Sequence, residues 1–183
     1  MKKLMIVLAA IALAGVTQAA SFNWKTSTGQ YVYKAGTTTK AASMTAYLFD
    51  ASVVAQATLV DGILNGGKSF SDFTSLSSKA TSSAGAIAST AFEYDTAATS
   101  VNAYFAIVDG DNIFISTSAS ADVLDVGTSS LQFGSISAPS KLAATQFSGT
   151  VSGAGWYTAA PEPTSGLLML VGLGALALRR RRA

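Results

Sequence analysis

Glu93 and Asp95 flank Tyr94, so on a strand both carboxylates fall on one face. Such a pair hydrolyses glycosides when held about 5 to 9.5 Å apart, one as acid and the other as base or nucleophile. At the end of a polar strand the pair reads instead as two exposed like charges. Asp109, Asp111 and Asn112 offer oxygen ligands for calcium. Counted from Asp109, an EF-hand loop needs a ligand at its fifth position, glycine at its sixth and a bidentate glutamate at its twelfth. Ile113, Phe114 and Ser120 stand there, so Asp109 and Asp111 are read as turn residues. Asp122 and Asp125 read as a solvated acidic loop, and Gly66-Gly67-Lys68 lacks the remaining spacing of a phosphate-binding loop. The chain has no histidine and no cysteine. That removes the usual base of nucleophilic catalysis, the commonest zinc ligands and any disulfide framework. Neither an enzyme nor a cofactor is expected.

The residues with a more specific pattern lie at the C-terminus. Pro161-Glu162-Pro163 is followed by Thr164-Ser165, an uncharged run from Gly166 to Leu178, and the cluster Arg179, Arg180, Arg181 and Arg182. Each proline fixes φ and lacks an N–H, and each restricts the residue before it to extended conformations. The motif is therefore expected to be an exposed, extended peptide suited to an enzyme groove. The apolar run would satisfy its own backbone as a helix in lipid. Its 13 residues span about 20 Å, against a hydrocarbon core of about 30 Å. Snorkelling arginines lengthen its reach, and four adjacent arginines hold that end in the cytoplasm. A short anchor of this kind suits a segment held briefly and then removed.

These three elements, in this order, resemble the PEP-CTERM sorting signal of Gram-negative bacteria. The resemblance covers residues 161–182. It implies recognition of the tail by an exosortase, a multi-spanning, transpeptidase-like cysteine enzyme of the membrane. It further implies delivery to the cell surface or an exopolysaccharide matrix.

The N-terminus carries a second address. Lys2 and Lys3 form a positive start, Leu4 to Ala14 an apolar stretch of 11 residues, and Thr17-Gln18-Ala19 or Gln18-Ala19-Ala20 the small residues before a cut. This is the pattern of a secretory signal peptide and implies signal peptidase as a partner. Cleavage is expected after Ala19, with Ala20 as the alternative. The chain thus divides into a signal peptide (1–19), an exported body (20–160) and a sorting tail with a short transmembrane helix (161–183).

Removing the two ends changes the balance of charge. The whole chain is +2 at neutral pH, but the body holds six lysines against nine acids and no arginine, a net −3. No basic surface for nucleic acid remains. Serine and threonine supply 40 of residues 20–160, a composition that fits solvated strand faces and loops.

The elements that must carry these residues follow from hydrophobic period. Ser21 to Thr26 reads as an edge strand with Phe22 and Trp24 on one face. Further strands are expected at Gln30–Lys34, Ala42–Phe49, Ala84–Tyr94, Ser130–Ile136, Gln146–Val151 and Gly155–Tyr157. The almost wholly apolar run Val101–Val108 reads as a central strand covered on both sides, joined to Asn112–Thr117 by an Asp109-Gly110 hairpin. Val53, Val54, Ala57, Val60, Ile63 and Leu64 recur at helical spacing, which predicts one amphipathic helix over Asp50–Asn65. Asp50 or Ser52 would cap it and Gly66-Gly67 would stop it. Phe70, Phe73 and Leu76 are expected to cover the core from a loop. Ser43–Phe49 also echoes Ser100–Ala106, as two similar strands of one sheet would.

The fold class expected is mainly β: a single β-sandwich-like domain with one amphipathic helix. A structural or adhesive surface protein is the favoured function. A secreted hydrolase or carbohydrate-binding module with the same tail is the alternative, and an exposed aromatic row including Trp24 or Trp156 would be its mark. A permanently anchored membrane protein is a third reading.

Overall fold

Alternating apolar residues on strands force two faces to be buried against something, and two sheets and a helix meet that need here. The computed structural model describes residues 19–96, 98–124, 126–134, 136 and 143–160. The small sheet has the order β4-β1-β8, built from β1 (Ala19–Thr26), β4 (Thr90–Asp95) and β8 (Thr128–Phe133). β1 runs antiparallel to β4 and parallel to β8. The large sheet has the order β3-β2-β5-β6-β10-β9. Its strands are β2 (Thr45–Asp50), β3 (Ser77–Ala80), β5 (Ser100–Asp109), β6 (Asn112–Ile115), β9 (Thr145–Gln146) and β10 (Gly155–Thr158). β7 (Ala119–Asp122) pairs with the first part of β5, while β6 pairs with its last part.

The sheets pack face to face. Phe22 and Trp24 of β1 and Leu131 and Phe133 of β8 meet Leu48 of β2, Phe105 of β5, Phe114 of β6 and Trp156 of β10. Phe105 is the hub, with its ring centroid 5.1 Å from Phe133 edge-on, 5.7 Å from Phe114 and 6.2 Å from Trp24. Full burial of side chains of this size contributes about 1.5–3 kcal/mol each. The other face of the large sheet presents Phe49, Tyr104, Ile113, Ile115 and Tyr157 to helix α1 (Gln56–Leu64), which buries Leu59 and Val60 there. β5 is apolar from Ala103 to Val108 because it sends Ala103, Phe105 and Ile107 to one core and Tyr104 and Ala106 to the other. The sandwich with one helix is thus as expected. The C-terminal hydrophobic helix lies outside the described residues, as does the signal peptide up to residue 18. Among the described residues no helix is long and apolar enough to cross a membrane.

Several boundaries differ from the sequence reading. β1 is the middle strand of its sheet, not an edge, because alternation reports one buried face and says nothing about neighbours that arrive much later in the chain. The helix begins at Gln56 rather than Asp50. The Asp50 carboxylate accepts the Ser52 N–H at 2.8 Å and the Ser52 hydroxyl at 2.6 Å, closing a turn that leaves Val53 60% exposed. The Gly66-Gly67 stop stands, with Gly67 at φ +62°. Gln30–Lys34 contributes only a Tyr33–Lys40 bridge. Ala84–Tyr94 shrinks to Thr90–Asp95: Gly85, at φ +71°, turns the chain against the Val32 carbonyl oxygen, where there is no room for a Cβ. Gln146–Val151 reduces to the two residues of β9, and β3 and β7 were not anticipated. The β5–β6 hairpin is present, but the paired residues are Asp109 and Asn112, so Gly110-Asp111 forms the loop, with Gly110 at φ +59°. The echoing segments are β2 and β5, which lie side by side and antiparallel, and Ala46, Leu48, Ala103 and Phe105 all face the same core.

Candidate functional site

The two ends of the described chain leave the sandwich at opposite ends. Ala20 pairs with Tyr94, whose hydroxyl donates to Asp50 Oδ2 at 3.0 Å, and Asp50 pairs with Ala103 near the start of β5. Thr158 pairs with Asn112, which pairs with Asp109 at the finish of β5. Six residues of strand separate Ala103 from Asp109, about 20 Å.

At the first end, Ala19 and Ala20 are the opening residues of β1; Ala19 is exposed and Ala20 is 4% exposed. The Asp50–Tyr94 contact joins the two sheets here. Asp50 is itself 6% exposed, yet its oxygens are matched by Ser52 and Tyr94. Burial, then the hydrogen bond to Asp50 and that group's charge, raise the Tyr94 pKa. Sequence reasoning placed Asp50 as a helix cap and missed this role, because Tyr94 is 44 residues away. Among the described residues no buried side-chain polar atom lacks a partner.

At the second end, β10 is pinned by its side chains. Trp156 Nε1 donates to the Tyr33 carbonyl at 2.7 Å, and its ring meets Phe114 edge-on at 5.5 Å. Tyr157 points the opposite way into the helix-side core, where its hydroxyl donates to the Gly153 carbonyl at 2.9 Å and accepts the Ser152 N–H at 3.1 Å. The Thr158 carbonyl accepts the Phe147 N–H at 2.9 Å. Thr158 therefore belongs to the fold rather than to a linker. Only Ala159 and Ala160 separate it from Pro161, and Ala160 is exposed. Pro161, Glu162, Pro163 and Arg179–Arg182 lie outside the described residues.

Residues 159–182 match the family model for the PEP-CTERM protein-sorting motif. The tail is a PEP-CTERM sorting motif. Such a motif implies an exported protein processed at the membrane, with an exosortase as its processing partner. The match spans Pro161, Glu162, Pro163 and all four terminal arginines. No curated protein and no solved structure matches the chain.

The remaining sequence candidates are dispersed. Glu93 and Asp95 lie on the exposed face of β4. Asp109 and Asp111 sit at the hairpin, where Asn112 Nδ2 reaches the Asp109 carbonyl at 3.5 Å. The Asp122 carbonyl accepts the Ser129 hydroxyl, and Asp125 lies outside the described residues. Trp24 and Trp156 are 0% and 2% exposed, so neither belongs to an exposed aromatic row.

Proposed function

We propose that the chain is an exported structural protein of the cell surface or extracellular matrix, sorted and cut by an exosortase through its tail, and that its body is not an enzyme. The observation that carries this reading is the sorting motif, whose matched span begins directly after the last strand of the sandwich. A body whose largest aromatics are spent on two cores, and whose candidate carboxylates Glu93, Asp95, Asp109 and Asp111 are dispersed, fits a part that is displayed rather than one that turns over a substrate.

The two ends then have different schedules. A cut between Ala19 and Ala20 falls at the Ala20–Tyr94 pair of the β1–β4 ladder, so signal peptidase acts before β4 closes on β1. A cut after Ala20 would discard a buried core alanine, which favours Ala19. Pro161 lies beyond every described strand, so the exosortase acts on the folded body. The test is fractionation of cells producing Pro161→Ala/Glu162→Ala/Pro163→Ala. The expected result is retention of an uncut form in the inner membrane, and release in wild-type amount would overturn the reading.

A further inference from the structure

A groove of about 480 Å³ opens at the tail end of the molecule, between α1, the Ser69–Ser71 segment and the β5–β6 hairpin. Its floor is Tyr47 and Phe70, half-buried rings with centroids 4.7 Å apart. Lys68 stands on its rim, with Nζ over the Phe73 ring at 5.4 Å, and no carboxylate lines it. Asp72, close by, is occupied: its Oδ2 accepts the Ser69 N–H at 2.7 Å and hydroxyl at 3.0 Å, which holds its pKa low.

We propose that in the precursor this groove holds the chain's own Pro161-Glu162-Pro163. Gly110, a lining residue, lies in the hairpin loop closed by Asn112, and Asn112 pairs with Thr158. Two strand steps from Thr158 to Asp109, which lies between the lining residues Val108 and Gly110, cover about 10 Å, while the four residues from Thr158 to Glu162 extend up to about 13 Å. The chemistry matches on both counts. Pro-rich extended peptides dock on aromatic floors with little loss of entropy, because their backbone is already restricted. Glu162 is the one acid of residues 161–183, and it meets the one cation of the groove. A tether this short supplies an effective concentration in the millimolar range, so even a weak contact is populated. A docked motif must leave the groove before an exosortase takes it. That consequence, though not the docking itself, rests on the function proposed above.

Carbodiimide coupling of the full chain in detergent micelles tests the docking. Glu162 should join the Lys68 amine, with loss of water, in clear excess over Lys25, Lys34, Lys40, Lys79 and Lys141. In Lys68→Arg, which keeps the charge but not the amine, the product should vanish without moving to another lysine. Phe70→Leu should lower its yield by about fivefold, the effect of one ordinary aromatic contact. An even spread over the lysines, or no Glu162 product in the folded chain, overturns the proposal. The readout needs no exosortase, so a tail left uncut in cells would count against the proposed function and leave this result standing.

Discussion

The start and the exit of the fold are held in different ways. β1 begins at Ala19 and is flanked along its length, by β4 through Thr90–Asp95 and by β8 through Thr128–Phe133. β10 has four residues, one full neighbour in β6 and a two-residue neighbour in β9. What the exit lacks in ladder it replaces with side chains: Trp156 is tied to Tyr33, and Tyr157 to Ser152 and Gly153. A central strand cannot be withdrawn without opening its sheet. A short strand near an edge can be pulled, unless its aromatics are anchored in the two cores. Under the proposed function, the leader would be cut from a segment about to become structure, and the tail from beyond a strand already in place.

Removing the core that both ends share should have the largest effect. Trp24→Ala empties the centre of the inter-sheet core and drops the Nε1 bond to Ser77, so a loss of about 3–5 kcal/mol is expected in urea unfolding. Against a typical stability of 5–15 kcal/mol for a domain, that endangers the fold at both ends.

Tyr94→Phe tests the leader end alone. It removes one hydrogen bond to a buried carboxylate, and about 1.5 kcal/mol should be lost. Amides of Ala20–Trp24 should then exchange faster with deuterium, while those of Tyr157 and Thr158 keep their rates. Loss of protection at both ends together would mean that the contrast between them is not real.

Gly110→Ala tests the tail end. Its φ of +59° costs a side-chain-bearing residue about 1–2 kcal/mol, felt first in the β5–β6 hairpin and the β10 ladder beside it. The smallest effect expected is that of alkaline pH. Burial raises the pKa of both Tyr104 and Tyr94. The folded chain therefore keeps protons that the unfolded chain gives up, and stability should be constant below about pH 10 and fall above it. Tyr104→Phe should flatten that decline in thermal melts. Because the Tyr104 hydroxyl also donates to the Val54 carbonyl at 2.9 Å, the variant should be less stable than wild type at neutral pH.

Much of the β framework was legible because the period of apolar residues is a local property. The run Val101–Val108 announces a strand buried on both faces, and β5 is so from Ala103 to Ile107. Neighbours are not local. Nothing in Ser21–Thr26 says that β4 and β8 will flank it, and nothing in Ser77–Ala80 or Ala119–Asp122, which are polar and short, marks them as strands. Asp50 looked like a helix cap because caps are read from the residues that follow, whereas its partner Tyr94 comes from the other sheet. The sorting motif was legible because it consists of residue types in a fixed local order, and residues 159–182 match it. The groove was not, because Tyr47, Lys68, Phe70 and Gly110 come from separate elements with no shared spacing.

The most direct measurement is the intact mass and C-terminal peptide of the protein recovered from outside the inner membrane. The account predicts a chain that begins at Ala20, ends close to Pro163 and has lost Arg179–Arg182 in cells with an active exosortase, and that keeps them in cells without one. Recovery of an extracellular form that still carries the four arginines would contradict it.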